Sequence, residues 1–148
     1  MHDAVTLTWA QRQIIQDRAR GRCEYCQSPV GFPTAPFTVE HIHPKSLGGP
    51  TTLENLAFAC AGWNGHKATK TRALDPETRA AVPLFHPRRQ RWEDHFQWSE
   101  DATLVIGLTP TCRVTVEALR LNRPGLVNLR RVMRLAGEHP PQDTIQED

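Results

Sequence analysis

The chain has 148 residues, 39% of them hydrophobic, with four Trp and five Phe. That suits one domain with a modest core and leaves too little for two. Eighteen Lys and Arg stand against 16 Asp and Glu, but Glu138, Asp143, Glu147 and Asp148 follow the last Arg, so residues 1–137 carry 18 cations against 12 acids. No apolar run reaches the ~20 residues that span a bilayer, and no basic-then-apolar signal pattern opens the sequence, so the expected setting is cytoplasmic, where cysteines stay reduced.

In chain order, Thr8 precedes apolar residues at helical spacing through Ile14, Ile15 and Ala19. This predicts a helix over 9–20, capped by Thr8 and stopped at Gly21. Cys23-x-x-Cys26 follows in a tight turn. Phe37–Ile42 alternates as a strand, and Pro44 and Gly48-Gly49-Pro50 break it. Leu53–Ala59 reads as a second strand or a single helical turn, and Ala61–Arg72 as a helix. Residues 73–91 read as an irregular arm holding Arg88, Arg89 and Arg91. Phe96–Ser99 and Leu104–Gly107 predict a hairpin. Thr109-Pro110 opens one helix, with Pro at its first position. Asn122 and Pro124 open another that runs to about Leu135, before Gly137. The single domain is expected over 1–137, with a mobile acidic tail over 138–148.

The most informative stretch is Glu40-His41-Ile42-His43-Pro44, with Gly48-Gly49, Asn55 and then Cys60, Asn64 and Lys67. Neutral imidazole takes a proton from water near neutral pH, which makes His41 the candidate general base. Glu40 offers a hard oxygen to Mg²⁺ or a similar ion. The two can meet one metal-water unit only where the strand twists or ends, because neighbours on a strand face opposite ways. Asn55 suits a bracing role in the loop that carries His41. His66 falls on the far side of the predicted helix from Asn64 and reads as a phosphate contact, while Lys67 shares the face of Asn64 and could hold a phosphate. His43 shares the strand face of His41 and is auxiliary.

This spacing resembles the HNH endonuclease family. The resemblance implies an α+β fold built on a ββα-metal finger, with motif core 23–72, braced by an N-terminal helix and by a C-terminal hairpin plus two helices. It implies catalytic roles for His41, Asn55 and Asn64, a Mg²⁺ or similar divalent ion on Glu40 and Asn64, and DNA as partner. The family more commonly has Asp where Glu40 stands. Many members also hold structural zinc with two Cys-x-x-Cys pairs. Here Cys23, Cys26 and Cys60 match, but Trp63 replaces the fourth thiolate, leaving His66, Cys112 or water as the fourth ligand, or no zinc at all. Cys112, on a predicted helix, suits burial as an apolar residue. Arg88, Arg89 and Arg91 suit contact with the DNA backbone. Weaker likeness to small bacterial HNH proteins extends to about Arg134. The expected activity is metal-dependent hydrolysis of phosphodiesters in DNA; the alternative is a binding module on the same scaffold with catalysis lost. A thiol redox role fits poorly, because the cysteine pair follows a helix instead of opening one.

Overall fold

A computed structural model describes residues 7–31, 37–60 and 70–141. Helix α1 (Trp9–Arg18) begins where Thr8 closes a capping box: its hydroxyl accepts the Gln11 amide at 3.1 Å, and the Gln11 side chain accepts the Thr8 amide at 2.9 Å. Two otherwise orphaned donors are satisfied reciprocally. The helix stops two residues short of the expected end, since Arg20 already has φ 56°. Arg18 then donates to the carbonyls of Leu53 and Leu56 at 2.8 and 2.7 Å, which ties α1 to the next element.

Strand β1 (Thr38–His41) pairs antiparallel with β2 (Leu56–Ala59), with Glu40 opposite Ala57 and His41 opposite Leu56. The segment read as strand or helical turn is both: a 3₁₀ turn at Leu53–Asn55 runs straight into β2. Strand alternation gives this hairpin two buried faces. Val39, Leu56 and Phe58 pack on Ile15 of α1, while Ala57 and Ala59 join a larger core with Tyr25, Phe85, Phe96 and Leu119.

The helix expected over 61–72 falls mostly on residues 61–69, outside the described ones; its last expected residue, Arg72, opens a strand instead. Strand β3 (Arg72–Leu74) pairs with β4 (Ala81–Pro83), so the arm expected to be irregular contains a hairpin. Asp75 organises its turn, accepting the Thr78 amide and hydroxyl at 3.0 and 2.7 Å and pairing with Arg113 Nε and Nη2, each at 3.0 Å. The Arg113 and Thr78 donors hold the Asp75 carboxyl well below the usual carboxylate range. Three-residue strands give no readable alternation, and their anchor lies 38 residues away in sequence.

A single helical turn, α2 (Trp92–His95), leads into the expected hairpin of β5 (Phe96–Trp98) and β6 (Val105–Gly107). Helix α3 (Pro110–Ala118) starts as expected at the Thr109 cap, and Cys112 on it is fully buried in the larger core. Helix α4 (Pro124–Leu135) is capped by Arg123, not Asn122. The Asn122 side chain instead accepts the Val105 amide at 2.8 Å and donates to the Val105 carbonyl at 2.9 Å. That pins β6 from the α3–α4 connection. Within the stretch expected as a tail, His139 is buried, its Nε2 bonds the Ala102 carbonyl at 2.7 Å, and its ring stands edge-on to Trp98; residues 142–148 lie outside the described ones. The architecture is α+β, with three two-stranded antiparallel sheets among the described residues. None of the described helices is long and apolar enough to cross a membrane.

Candidate active site

His41 is the last residue of β1 and is 3% exposed. Its Nε2 lies 2.9 Å from the Thr51 hydroxyl, and its Nδ1 is buried with no hydrogen-bond partner among the described residues. One ring nitrogen is therefore fixed, and the other has no partner among the described residues. Thr51 was not singled out from the sequence, because a Thr after Gly-Gly-Pro carries no signal beyond a turn.

The loop from residue 42 to residue 51 joins His41 to Thr51, and Asn55 holds it. Its Oδ1 accepts the His43 amide at 2.8 Å, and its Nδ2 donates to the carbonyls of His43 and Pro50 at 3.0 and 2.8 Å. The Ile42 amide also bonds the Asn55 carbonyl at 2.8 Å. Gly49 is required where it stands, since a Cβ there would collide with the His43 carbonyl. His43 itself is exposed, with Nε2 near the Leu47 carbonyl at 3.2 Å.

Glu40 is 2% exposed and sits opposite Ala57, on the strand face away from that of His41 and Leu56. Among the described residues, only Cys23, Cys26 and Cys60 group as three His, Cys, Asp or Glu donors; Asn64, the expected partner of Glu40 on a metal, lies outside them. His66, Lys67 and Trp63 also lie outside the described residues.

The three thiols come together with all ligand atoms within 4.8 Å of one another, and Cys26 Sγ is 3.6 Å from Cys60 Sγ. Zinc bonds thiolates tetrahedrally at about 2.3 Å, which sets sulfurs on the order of 3.8 Å apart, so these donors fit that ion. Cys112 is not in the cluster; its Sγ accepts the Thr109 hydroxyl at 3.1 Å, which removes it as fourth ligand among the described residues. Sequence reasoning missed Arg123, whose Nη2 donates to Cys60 Sγ at 3.6 Å. Hydrogen bonds from Cys23 and Cys26, with the nearby Arg123 guanidinium, hold the Cys60 thiol well below its usual range, while burial pushes Cys23 up.

The basic arm divides. Arg88 was expected to contact DNA, but its guanidinium is largely buried and ion-paired with Glu24, whose other oxygen accepts the Phe58 amide at 2.9 Å. Burial lowers the Arg88 pKa to about 10. The pair belongs to the scaffold, because Glu24 lies in the cysteine turn and would be an uncompensated buried charge without it. Arg89 and Arg91 are exposed, and Arg91 is only loosely near Glu93 at 3.9 Å.

No curated protein and no solved structure matches the chain. A family model does, and its span begins at the first knuckle cysteine and includes β1, the Asn55-braced loop and Cys60. Residues 23–70 of this chain match the HNH endonuclease family.

Proposed function

We propose that the chain is a divalent-metal-dependent endonuclease that hydrolyses phosphodiester bonds in DNA, with His41 as its general base. The observation that carries this is the asymmetry of the His41 ring. With the proton on Nε2 and donated to Thr51, the lone pair rests on the buried, unpartnered Nδ1. A water at Nδ1 would lose its proton to the ring as its oxygen attacks phosphorus; the bond from phosphorus to one ester oxygen then breaks, and that oxygen takes a proton from solvent.

The buried Glu40 carboxylate is the one charged oxygen donor on β1 beside this base, and with Asn64 it would hold Mg²⁺ or a similar ion. Such an ion supplies a positive charge that offsets the negative charge developing on the phosphate oxygens. Asn55 acts through position, keeping the loop of His41 and Thr51 in one shape. Arg89, Arg91, Lys67 and His66 are the proposed backbone contacts, and Arg88 is removed from that set by its bond to Glu24. The thiol cluster of Cys23, Cys26 and Cys60 is the proposed structural zinc site.

The opposite strand faces of Glu40 and His41 favour a second reading, a DNA-binding module without cleavage. One experiment separates the two. Purified protein is incubated with plasmid and Mg²⁺ or Mn²⁺ beside His41→Ala. The nuclease reading expects nicked or linear product from the wild type, at least ~10²-fold less from the variant, and equal DNA affinity for both. Equal cleavage by the two would remove His41 from the chemistry, and no cleavage with either ion would favour the module.

A further inference from the structure

A cleft of about 430 Å³ opens at the end of β1, lined from Ile42, the residue directly after His41. Its floor is apolar and rigid: Ile42, Leu84 and Phe85 are each buried, and Phe85 is locked edge-on against Phe96 with ring centroids 5.1 Å apart. Lys70 and Arg89 line it too, and among the described residues no carboxylate does. Neither cation has an acidic partner among the described residues. Gln90 adds a polar head: its Oε1 is used by the His86 amide at 2.8 Å, and no described group takes its Nε2 hydrogens.

These features separate two ways of meeting DNA. Contact with the backbone of an intact duplex needs cations on an open surface and has no use for an apolar hollow. A paired, stacked base cannot enter a concave site; a base out of the stack can, presenting one flat apolar face and one hydrogen-bonding edge. An apolar floor with a free amide donor meets that base, and the two cations lining the cleft meet the phosphates that flank it.

We infer that this cleft receives one unpaired nucleotide of the DNA strand beside the cut phosphate, so that the protein prefers DNA with a locally unpaired base over continuous duplex. The inference rests on the nuclease reading for the direction of the strand. It adds a substrate class to that reading: single strands, bulges and flaps.

The test measures binding apart from cleavage. Fluorescence anisotropy in EDTA compares the full chain on three labelled DNAs of one sequence: a single strand, a duplex with a one-nucleotide bulge, and a fully paired duplex. The bulge and the single strand should bind about tenfold tighter than the paired duplex. In Lys70→Ala/Arg89→Ala that preference should fall to within about twofold, and the salt slope for the single strand should drop by about 1.4. Arg134→Ala, an exposed cation outside the cleft with no proposed DNA contact, should keep the preference. Equal wild-type affinity for all three DNAs would overturn the inference, as would a double variant that weakens all three by one common factor. Plasmid cleavage without any such preference would leave the nuclease reading standing and remove the cleft. The preference without cleavage on any substrate would do the reverse.

Discussion

Replacing Asn55 with Ala tests whether the loop after β1 is held by one side chain. Asn55 is 7% exposed and makes three side-chain hydrogen bonds, to the His43 amide, the His43 carbonyl and the Pro50 carbonyl. A typical bond contributes ~0.5–1.5 kcal/mol net, and an abandoned buried partner costs somewhat more. Loop relaxation will let water reach some of these groups, so the expected loss is ~2–4 kcal/mol. Against a total of ~5–15 kcal/mol for an ordinary domain, the variant stays mostly folded. In urea melts followed by Trp fluorescence, its midpoint should fall by ~1–2 M with the slope unchanged. Cleavage should fall by more than tenfold under conditions where the variant is still folded, because Thr51 and His41 would no longer be held in one geometry. Asn55→Asp sharpens the result. It keeps an acceptor for the His43 amide but turns a carboxylate toward two carbonyls, so it should do no better than Ala. A loss below ~1 kcal/mol with cleavage at the wild-type level would refute the bracing role.

Three further results are expected. Glu24→Ala should destabilise by ~3–5 kcal/mol in the same melts by stranding buried Arg88, and Glu24→Gln/Arg88→Met should cost less than the sum of its single changes. Acid should destabilise the fold through Asp101 and Asp75. The Thr103 and Ser99 donors hold Asp101 down at about 2, and Arg113 holds Asp75 low. A depressed carboxylate contributes fully above its ordinary pKa of ~3.9 and loses that contribution as pH falls through the folded value, so the melting temperature should drop between pH 4 and pH 2. Asp101→Asn should flatten that drop. For zinc, chelation should lower the melting temperature slightly, and Trp63→Cys should raise the metal content toward one ion per chain; stoichiometric zinc in the wild type with unfolding on chelation would overturn this.

The parts legible from sequence were those with short-range signatures. The Thr8 and Thr109 caps, the Cys23–Cys26 turn, β1 ending at His41 and the β5–β6 hairpin each follow from residues within a few positions of one another. What sequence did not disclose depends on partners distant in the chain. The β3–β4 hairpin is anchored by Asp75 to Arg113, and the start of α4 shifts because Asn122 is engaged by Val105. Arg88 looked like a member of an exposed cationic run because its buried partner, Glu24, lies 64 positions earlier and its own neighbours are exposed. The same limit applies at the site. His41 and Asn55 stand out by spacing, whereas Thr51 and Arg123 acquire roles only from the folded geometry.

That pattern bears on how the cysteine turn is held. A closed zinc shell would join the turn at Cys23–Cys26 to Cys60 through four metal–sulfur bonds, but a fourth thiolate does not stand where Trp63 does. Four protein contacts hold the turn and Cys60 from outside. Glu24, between the two cysteines, bonds the Phe58 amide of β2 and the buried Arg88. The Trp92 indole donates to the Tyr25 carbonyl at 2.9 Å, and Arg123, capping α4, donates to Cys60 Sγ. Each contact comes from the C-terminal half of the chain or ends in β2, and each meets the turn or Cys60 at a different point. The metal would therefore act as one tie among several. This is why a chelator should cost this protein less than the loss of Glu24 does, and comparing the two in one set of melts places the strength of the junction in the side chains or in the ion.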